Sequence, residues 1–300
     1  MGLFQGHDSV EDLFKHADLA LYQAKNTGRN GMRFFDPAMQ AALDLRSALE
    51  AELREAIQSQ QLRLYYQPQV DAARRVVGAE ALVRWQHPQR GLVPPNDFIP
   101  LAEDTGLILP IGHWVLETAC RQLHAWADDQ RTRDLQVAVN VSARQFHQPE
   151  FVQQVLDVLR QTGAKPHLLK LELTESLLIS DVDDVISKMG ALKEMGVGFS
   201  LDDYGTGYSS LAYLSRLPLD QLKIDRSFVM GIETSETAVA ICAATISLAH
   251  NLKLQVVAEG VETEAQCHIL STQYQCNFVQ GFLFSRPLPL EEFEAFLLRN

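Results

Sequence analysis

Leu169-Lys-Leu-Glu-Leu-Thr-Glu175 and, one amphipathic helical stretch later, Val197-Gly-Phe-Ser-Leu-Asp-Asp203 form the unit on which the fold turns. Each is a short apolar run that reads as a strand, and each closes on acidic residues. The same alternation extends outward in both directions, with strand-like runs at 62–70, 76–83, 135–141, 169–173, 197–201, 221–224, 254–258 and 278–280. Strands that alternate with helices over about 240 residues fit an α/β fold whose parallel strands close into a TIM-like (β/α)8 barrel. One pair must differ. Only residues 71–75 separate the first two runs, too few for a crossover helix, so that pair is expected to be antiparallel.

Upstream of the barrel, Asp36-Pro37 has the form of an N-cap followed by proline in the first helical turn. It opens a charged connector helix over 37–60. A second helical pattern, from Ser9 to about Lys25, ends at Gly28-Arg-Asn-Gly31. Residues 1–36 are too few to build a core of their own and are expected to be the tail of another domain. The division is therefore 1–36, 37–60 and 61–300.

The net charge of −12, from 38 acidic and 26 basic residues, argues against a nucleic-acid polymer as partner. Cys120, Cys242, Cys267 and Cys276 have neither paired spacing nor matched histidines, so they read as buried thiols of a cytoplasmic protein. The apolar run 238–249 is too short to span a bilayer and reads as a core helix, and no signal peptide is visible. His87, before Pro88, reads as a turn residue, and His250 as the end of a helix.

Polar side chains fall at the ends of nearly all the strands: Glu80, Asn140, Glu172, Asp202 with Asp203, Lys223, Glu259 and Gln280. In a parallel barrel these converge on one mouth, where barrel enzymes place their chemistry. A lone acid at a strand end is more often solvated or a helix cap, but the same placement recurs on strand after strand. Five carboxylates around one lysine call for further positive charge. An oxygen-only donor set suits Mg²⁺ or Mn²⁺. The adjacent Asp202 and Asp203 would join two cations if the strand end is distorted enough to turn both inward.

Several segments carry a family resemblance over residues 49–298. Tyr66-Gln-Pro68, Glu80-Ala-Leu-Val-Arg-Trp85, Asp97-Phe-Ile-Pro-Leu-Ala-Glu103, Glu172-Leu-Thr-Glu175, Asp202-Asp-Tyr-Gly-Thr-Gly207, Lys223-Ile-Asp225, Glu259-Gly-Val-Glu262 and Gln280-Gly-Phe282 occur in the order found in EAL domains, which the chain resembles. The resemblance implies a cyclic di-GMP phosphodiesterase that yields linear pGpG through a water activated by divalent cations, two per site. Glu80, Asn140, Glu172 and Asp202 would hold one cation. Asp202, Asp203 and Glu259 would surround the second and the attacking water, with Lys223 and Glu259 catalytic. Gln67, Leu82, Arg84 and Gln280 would contact substrate. Glu175 would anchor the 203–211 loop, and Glu262 completes the signature.

A homodimer through the barrel and no direct membrane contact also follow from the resemblance. Tyr204 stands where phenylalanine is common. The competing reading is a receptor that binds the nucleotide without cleaving it, or a module needing its missing partner domain. Residues 17–30 resemble the end of a GGDEF (diguanylate cyclase) domain, without its name-giving motif.

Overall fold

The computed structural model describes residues 14–15, 17–18, 20–21, 32, 34–175, 177, 181–205 and 214–299. Its strands are β1 (Leu62–Asp71), β2 (Val76–His87), β3 (Gly91–Val93), β4 (Gln136–Val141), β5 (Leu169–Thr174), β6 (Gly198–Tyr204), β7 (Gln221–Ile224), β8 (Gln255–Ala258), β9 (Phe278–Gln280) and β10 (Leu288–Pro289). Eight of them close a barrel in the order β1-β2-β4-β5-β6-β7-β8-β9, with β9 returning to β1. From β2 round to β9 every pairing is parallel, and β1 runs antiparallel to both of its barrel neighbours. The expected antiparallel first pair is therefore present, held over a register from Leu62↔Trp85 to Val70↔Val76.

The two short strands outside the barrel, β3 and β10, lie below the length at which alternation marks a strand. β3 pairs back on an extended β2 through a turn at Gly91, whose φ of 72° suits a residue without Cβ. The extension corrects the reading of His87, which is the last residue of β2 and buried rather than part of an open turn. Its Nδ1 accepts the backbone N–H groups of Gln89 and Arg90, both at 3.1 Å. That leaves Nε2 to meet Glu52 at 3.2 Å on the connector helix.

The connector helix spans Pro37–Gln58, and Asp36 caps it by accepting the N–H of Ala38 at 2.9 Å. Leu53 and Ala56 on one face are fully buried against the barrel. His250 lies in the last turn of the Glu236–Asn251 helix, as expected, and the four cysteines are free and buried. Among the described residues, no helix is long and apolar enough to cross a membrane. Most of the 9–25 pattern and most of the 203–211 loop lie outside the described residues.

Apolar side chains pack the layer between strands and helices: Val137, Val139, Leu171, Leu173, Phe199, Leu201, Leu222 and Ile224 are all essentially inaccessible. The alternate positions of the barrel strands face the interior, and here many are polar. Gln69, Glu80, Lys170, Glu172, Ser200, Gln221, Lys223 and Gln280 are all buried. Barrel interiors are ordinarily filled with aliphatic side chains, so this inversion singles out the interior as the functional part of the molecule.

Candidate active site

The centre of the barrel mouth is the ammonium of Lys223, 1% exposed at its side chain. Its Nζ lies 2.5 Å from Glu259 Oε1, 2.9 Å from Glu172 Oε2, 3.2 Å from Asp202 Oδ1 and 3.6 Å from Glu80 Oε2. Four strand ends thus deliver a carboxylate to one cation. In register Asn140 lies opposite Glu172, and Asp202 lies opposite Thr174, one inward position beyond Glu172.

Asn140, at the exposed rim, donates from Nδ2 to Glu80 Oε1 at 2.6 Å. Gln280 donates from Nε2 to Glu80 Oε2 at 2.6 Å and to Gln67 Oε1 at 3.1 Å, and accepts from Gln69 Nε2 at 3.0 Å. Glu80 is therefore fixed on both oxygens by neutral donors.

The distortion that two adjacent aspartates require is present at the end of β6. Asp203 has φ 54°, in the left-handed region, and the β6–β7 register breaks between Leu201 and Tyr204. A non-glycine residue held there is uncommon and marks a constrained site. Asp202 and Asp203 consequently escape strict strand alternation. Each is half-buried, and the N–H of Asp203 bonds Asp202 Oδ1 at 3.0 Å.

The electrostatics follow from burial against one ammonium. Burial drives Glu172 well above the ordinary carboxylate range, and the attraction of Lys223 does not offset it. Burial likewise raises Glu259 to about 8. Burial also pushes Glu80 upward, but Lys223 and the hydrogen bonds from Gln280 and Asn140 outweigh it, leaving that group below its usual value. Lys223 is pulled down by burial and pushed further up by Glu172, Glu259, Glu80 and Asp202, so it stays charged. Asp203 is raised by burial and by the neighbouring charges of Asp202 and Asp225.

Among the described residues, no acids stand grouped around a space ready for a cation, because the acids are drawn in on Lys223 instead. The donor set nonetheless fits a hard divalent cation. It offers carboxylate and amide oxygens only, and Glu172 Oε1 is buried without a hydrogen-bond partner. An orphaned carboxylate oxygen in an acid-rich interior is poorly accommodated unless a cation reaches it.

A cleft of about 260 Å³ opens beside the acids. Gln67, Leu82, Arg84 and Gln280 are among the residues that line it. Glu175 is buried near Tyr204, whose hydroxyl is raised by burial and by the Glu175 charge. The loop Glu175 was expected to anchor falls mostly outside the described residues. Glu262 does not join the acids. It accepts from Arg226 Nη2 at 3.0 Å on the rim of the cleft.

Arg226 and Pro287, which sequence reasoning passed over, also line the cleft, as does Phe282 of the Gln280-Gly-Phe282 segment. Gly260 (φ 68°) makes room for Arg226, whose Cγ lies 2.3 Å from where a Cβ would stand. The dipeptide Gly281-Phe282 after β9 was the available signal, because a Cβ at Gly281 would meet Val261 O at 2.1 Å.

The family model described as the EAL domain matches residues 50–287. The chain is 47% identical over 285 residues to the bifunctional diguanylate cyclase/cyclic di-GMP phosphodiesterase MucR of Pseudomonas aeruginosa, covering 95% of this chain and 41% of that protein. It is 46% identical over 293 residues to the cyclic di-GMP phosphodiesterase NbdA of the same organism, covering 97% and 37%. It therefore spans about two-fifths of the length of these curated relatives. A solved structure of the PaMucR phosphodiesterase in complex with c-di-GMP superposes with a TM-score of 0.79 at 47% identity, covering 82% of this chain and 99% of that one. By sequence and by fold, the chain belongs to the EAL domain family.

Proposed function

We propose that this chain is a phosphodiesterase that hydrolyses cyclic di-GMP to linear pGpG. The observation that carries the reading is the gathering of Glu80, Glu172, Asp202 and Glu259 around Lys223 at the C-terminal mouth of the barrel, beside a cleft. Relatives with the names given above support the choice of substrate.

Glu80, Asn140, Glu172 and Asp202 would hold one divalent cation, and Asp202, Asp203 and Glu259 a second. Bound there, Mg²⁺ or Mn²⁺ lowers the pKa of water and neutralises charge developing on the phosphate. The chain's own residues do the rest. Arg84 and Gln67 hold the dinucleotide in the cleft, with Leu82 and Gln280 beside them. Glu259, where the acid layer meets the cleft, takes the proton of the attacking water. Lys223 orients that water and keeps the acids from repelling one another apart. One phosphorus–oxygen ester bond breaks as the water oxygen bonds to phosphorus, and the freed ribose oxygen takes a proton from solvent and leaves as a hydroxyl, while Glu259 returns its proton to solvent. No covalent enzyme intermediate is needed.

Residues 1–36 are read as the C-terminal remnant of a GGDEF domain, 37–60 as a connector helix and 61–300 as the phosphodiesterase barrel. The likeness to MucR, named as both a diguanylate cyclase and a phosphodiesterase, supports a cyclase partner for the barrel. A homodimer through the barrel, with the 203–211 loop between site and interface, and a cytoplasmic location complete the proposal.

The test is to incubate the purified chain with cyclic di-GMP and Mg²⁺ or Mn²⁺, and separately with EDTA, following nucleotides by chromatography. Metal-dependent appearance of pGpG is the expected result. Binding without turnover in either metal would instead make the chain a receptor, or a module needing its partner domain.

A further inference from the structure

Beneath the acids, the barrel interior contains a second polar storey. Lys170 and Glu172 occupy alternate inward positions of β5, and Gln221 and Lys223 occupy alternate inward positions of β7, with Ser200 and Asp202 on β6 between them. The upper storey is bridged across β6 by Lys223 Nζ to Glu172 Oε2 at 2.9 Å. The lower storey is bridged in the opposite sense, by Lys170 Nζ to Gln221 Oε1 at 3.2 Å. The lower residues are closed off from solvent, with Lys170 4% exposed and Ser200 and Gln221 fully buried.

This storey is under-satisfied. Ser200 Oγ and Gln221 Nε2 are buried without a hydrogen-bond partner, and Gln221 occupies one of the three donors of the Lys170 ammonium. Three adjacent strands thus aim an ammonium, an amide and a hydroxyl into one interior space, where unpaired polar groups are costly. Ordered water is the ligand that satisfies such a set, since each molecule both accepts and donates. Burial lowers Lys170 to about 8, against the pull of Glu172 above it and of Asp220, and Lys223 and Lys193 repel the same ammonium.

We propose that Lys170, Ser200 and Gln221 form an internal hydration site, and that the positive charge of Lys170 beneath Glu172 weakens the hold of the acid layer on a divalent cation. The second half rests on the cation site proposed above. A lysine near a cation site repels the incoming ion, and in a partly dry interior that repulsion is worth at least a several-fold change in affinity.

Two measurements test this on the full chain. In a high-resolution crystal structure of the metal-free protein, water is expected within hydrogen-bond distance of Lys170 Nζ and of Ser200 Oγ or Gln221 Nε2. A dry interior, or a halide there revealed by bromide anomalous scattering, overturns the hydration site. In calorimetric titrations with Mn²⁺, Lys170→Met is expected to bind about fivefold tighter or more, and Lys170→Arg within about twofold of the parent because the charge is restored. Gln221→Glu, which neutralises Lys170 in place, is expected to tighten binding too and serves if Lys170→Met does not fold. Unchanged or weaker binding in the folded variants overturns the role of Lys170. If the parent chain binds no Mn²⁺, the cation reading itself fails and takes the affinity role with it, while the crystallographic density still decides the hydration site.

Discussion

The Lys223 ammonium donates to the Glu172 carboxyl group across the barrel interior, Nζ to Oε2 at 2.9 Å, with side chains 1% and 0% exposed. The pair is not self-contained, because Asp202, Glu259 and Glu80 crowd the same ammonium. Lys223 is thus the internal counter-ion of the site in the absence of metal.

Replacing it with methionine leaves those acids buried without compensation. Breaking a buried pair from one side typically costs about 3–5 kcal/mol, so Lys223→Met is expected to lose that order of stability in EDTA. Divalent cation should return a substantial part of it, because a ligand that binds only the folded state stabilises it. Urea denaturation with and without Mn²⁺ checks both; a variant as stable as the parent in EDTA would remove Lys223 as the counter-ion.

Glu259 stands where the acid layer meets the cleft, its side chain 18% exposed. Glu259→Gln keeps the shape and removes the proton acceptor. Turnover is expected to fall about 100-fold or more, within the range for losing a general base, while KM moves little. Steady-state kinetics in saturating metal decide it, and an unchanged kcat would take Glu259 out of the chemistry.

Gln280 ties β9 to β1 and β2 by donating to Gln67 and Glu80 while accepting from Gln69. Gln280→Leu strands three buried polar partners, each a loss of about 1–3 kcal/mol if unrelieved. Because Glu80 also loses the donor that orients it, divalent cation affinity should weaken about 10-fold or more, as for other groups that orient metal ligands. Calorimetry with Mn²⁺, alongside a thermal melt, separates the two effects.

Gly281 passes so close to the loop after β8 that an added Cβ would meet Val261 O at 2.1 Å and Val261 N at 2.3 Å. Those are backbone atoms, and they hold Gln280 O and the Leu283 N–H in hydrogen bonds of 3.0 Å each. Gly281→Ala must push the 259–262 segment away, with an expected loss of about 1–3 kcal/mol and a raised KM from a displaced cleft wall. Equal stability and KM in variant and parent would show that the loop yields freely.

Much of this molecule is legible before folding. Alternation of short apolar runs with helices identified all eight barrel strands, and the five-residue gap at 71–75 identified the antiparallel pair, because strand periodicity and crossover length are local properties. The chemical character of the mouth was equally local, since a strand's last inward residue is known once the strand is. Where each side chain would sit was not. The gathering of the acids on Lys223 depends on register between strands far apart in sequence, and Glu262, equally acidic, is drawn to Arg226 instead. His87 read as a turn residue because Pro88 follows it, and only the packing of the connector helix shows it as a buried strand end held by Glu52. The lower storey of Lys170, Ser200 and Gln221 was invisible for the same reason. Each is an ordinary polar residue in an apolar run, and only barrel closure turns them toward one another and away from water.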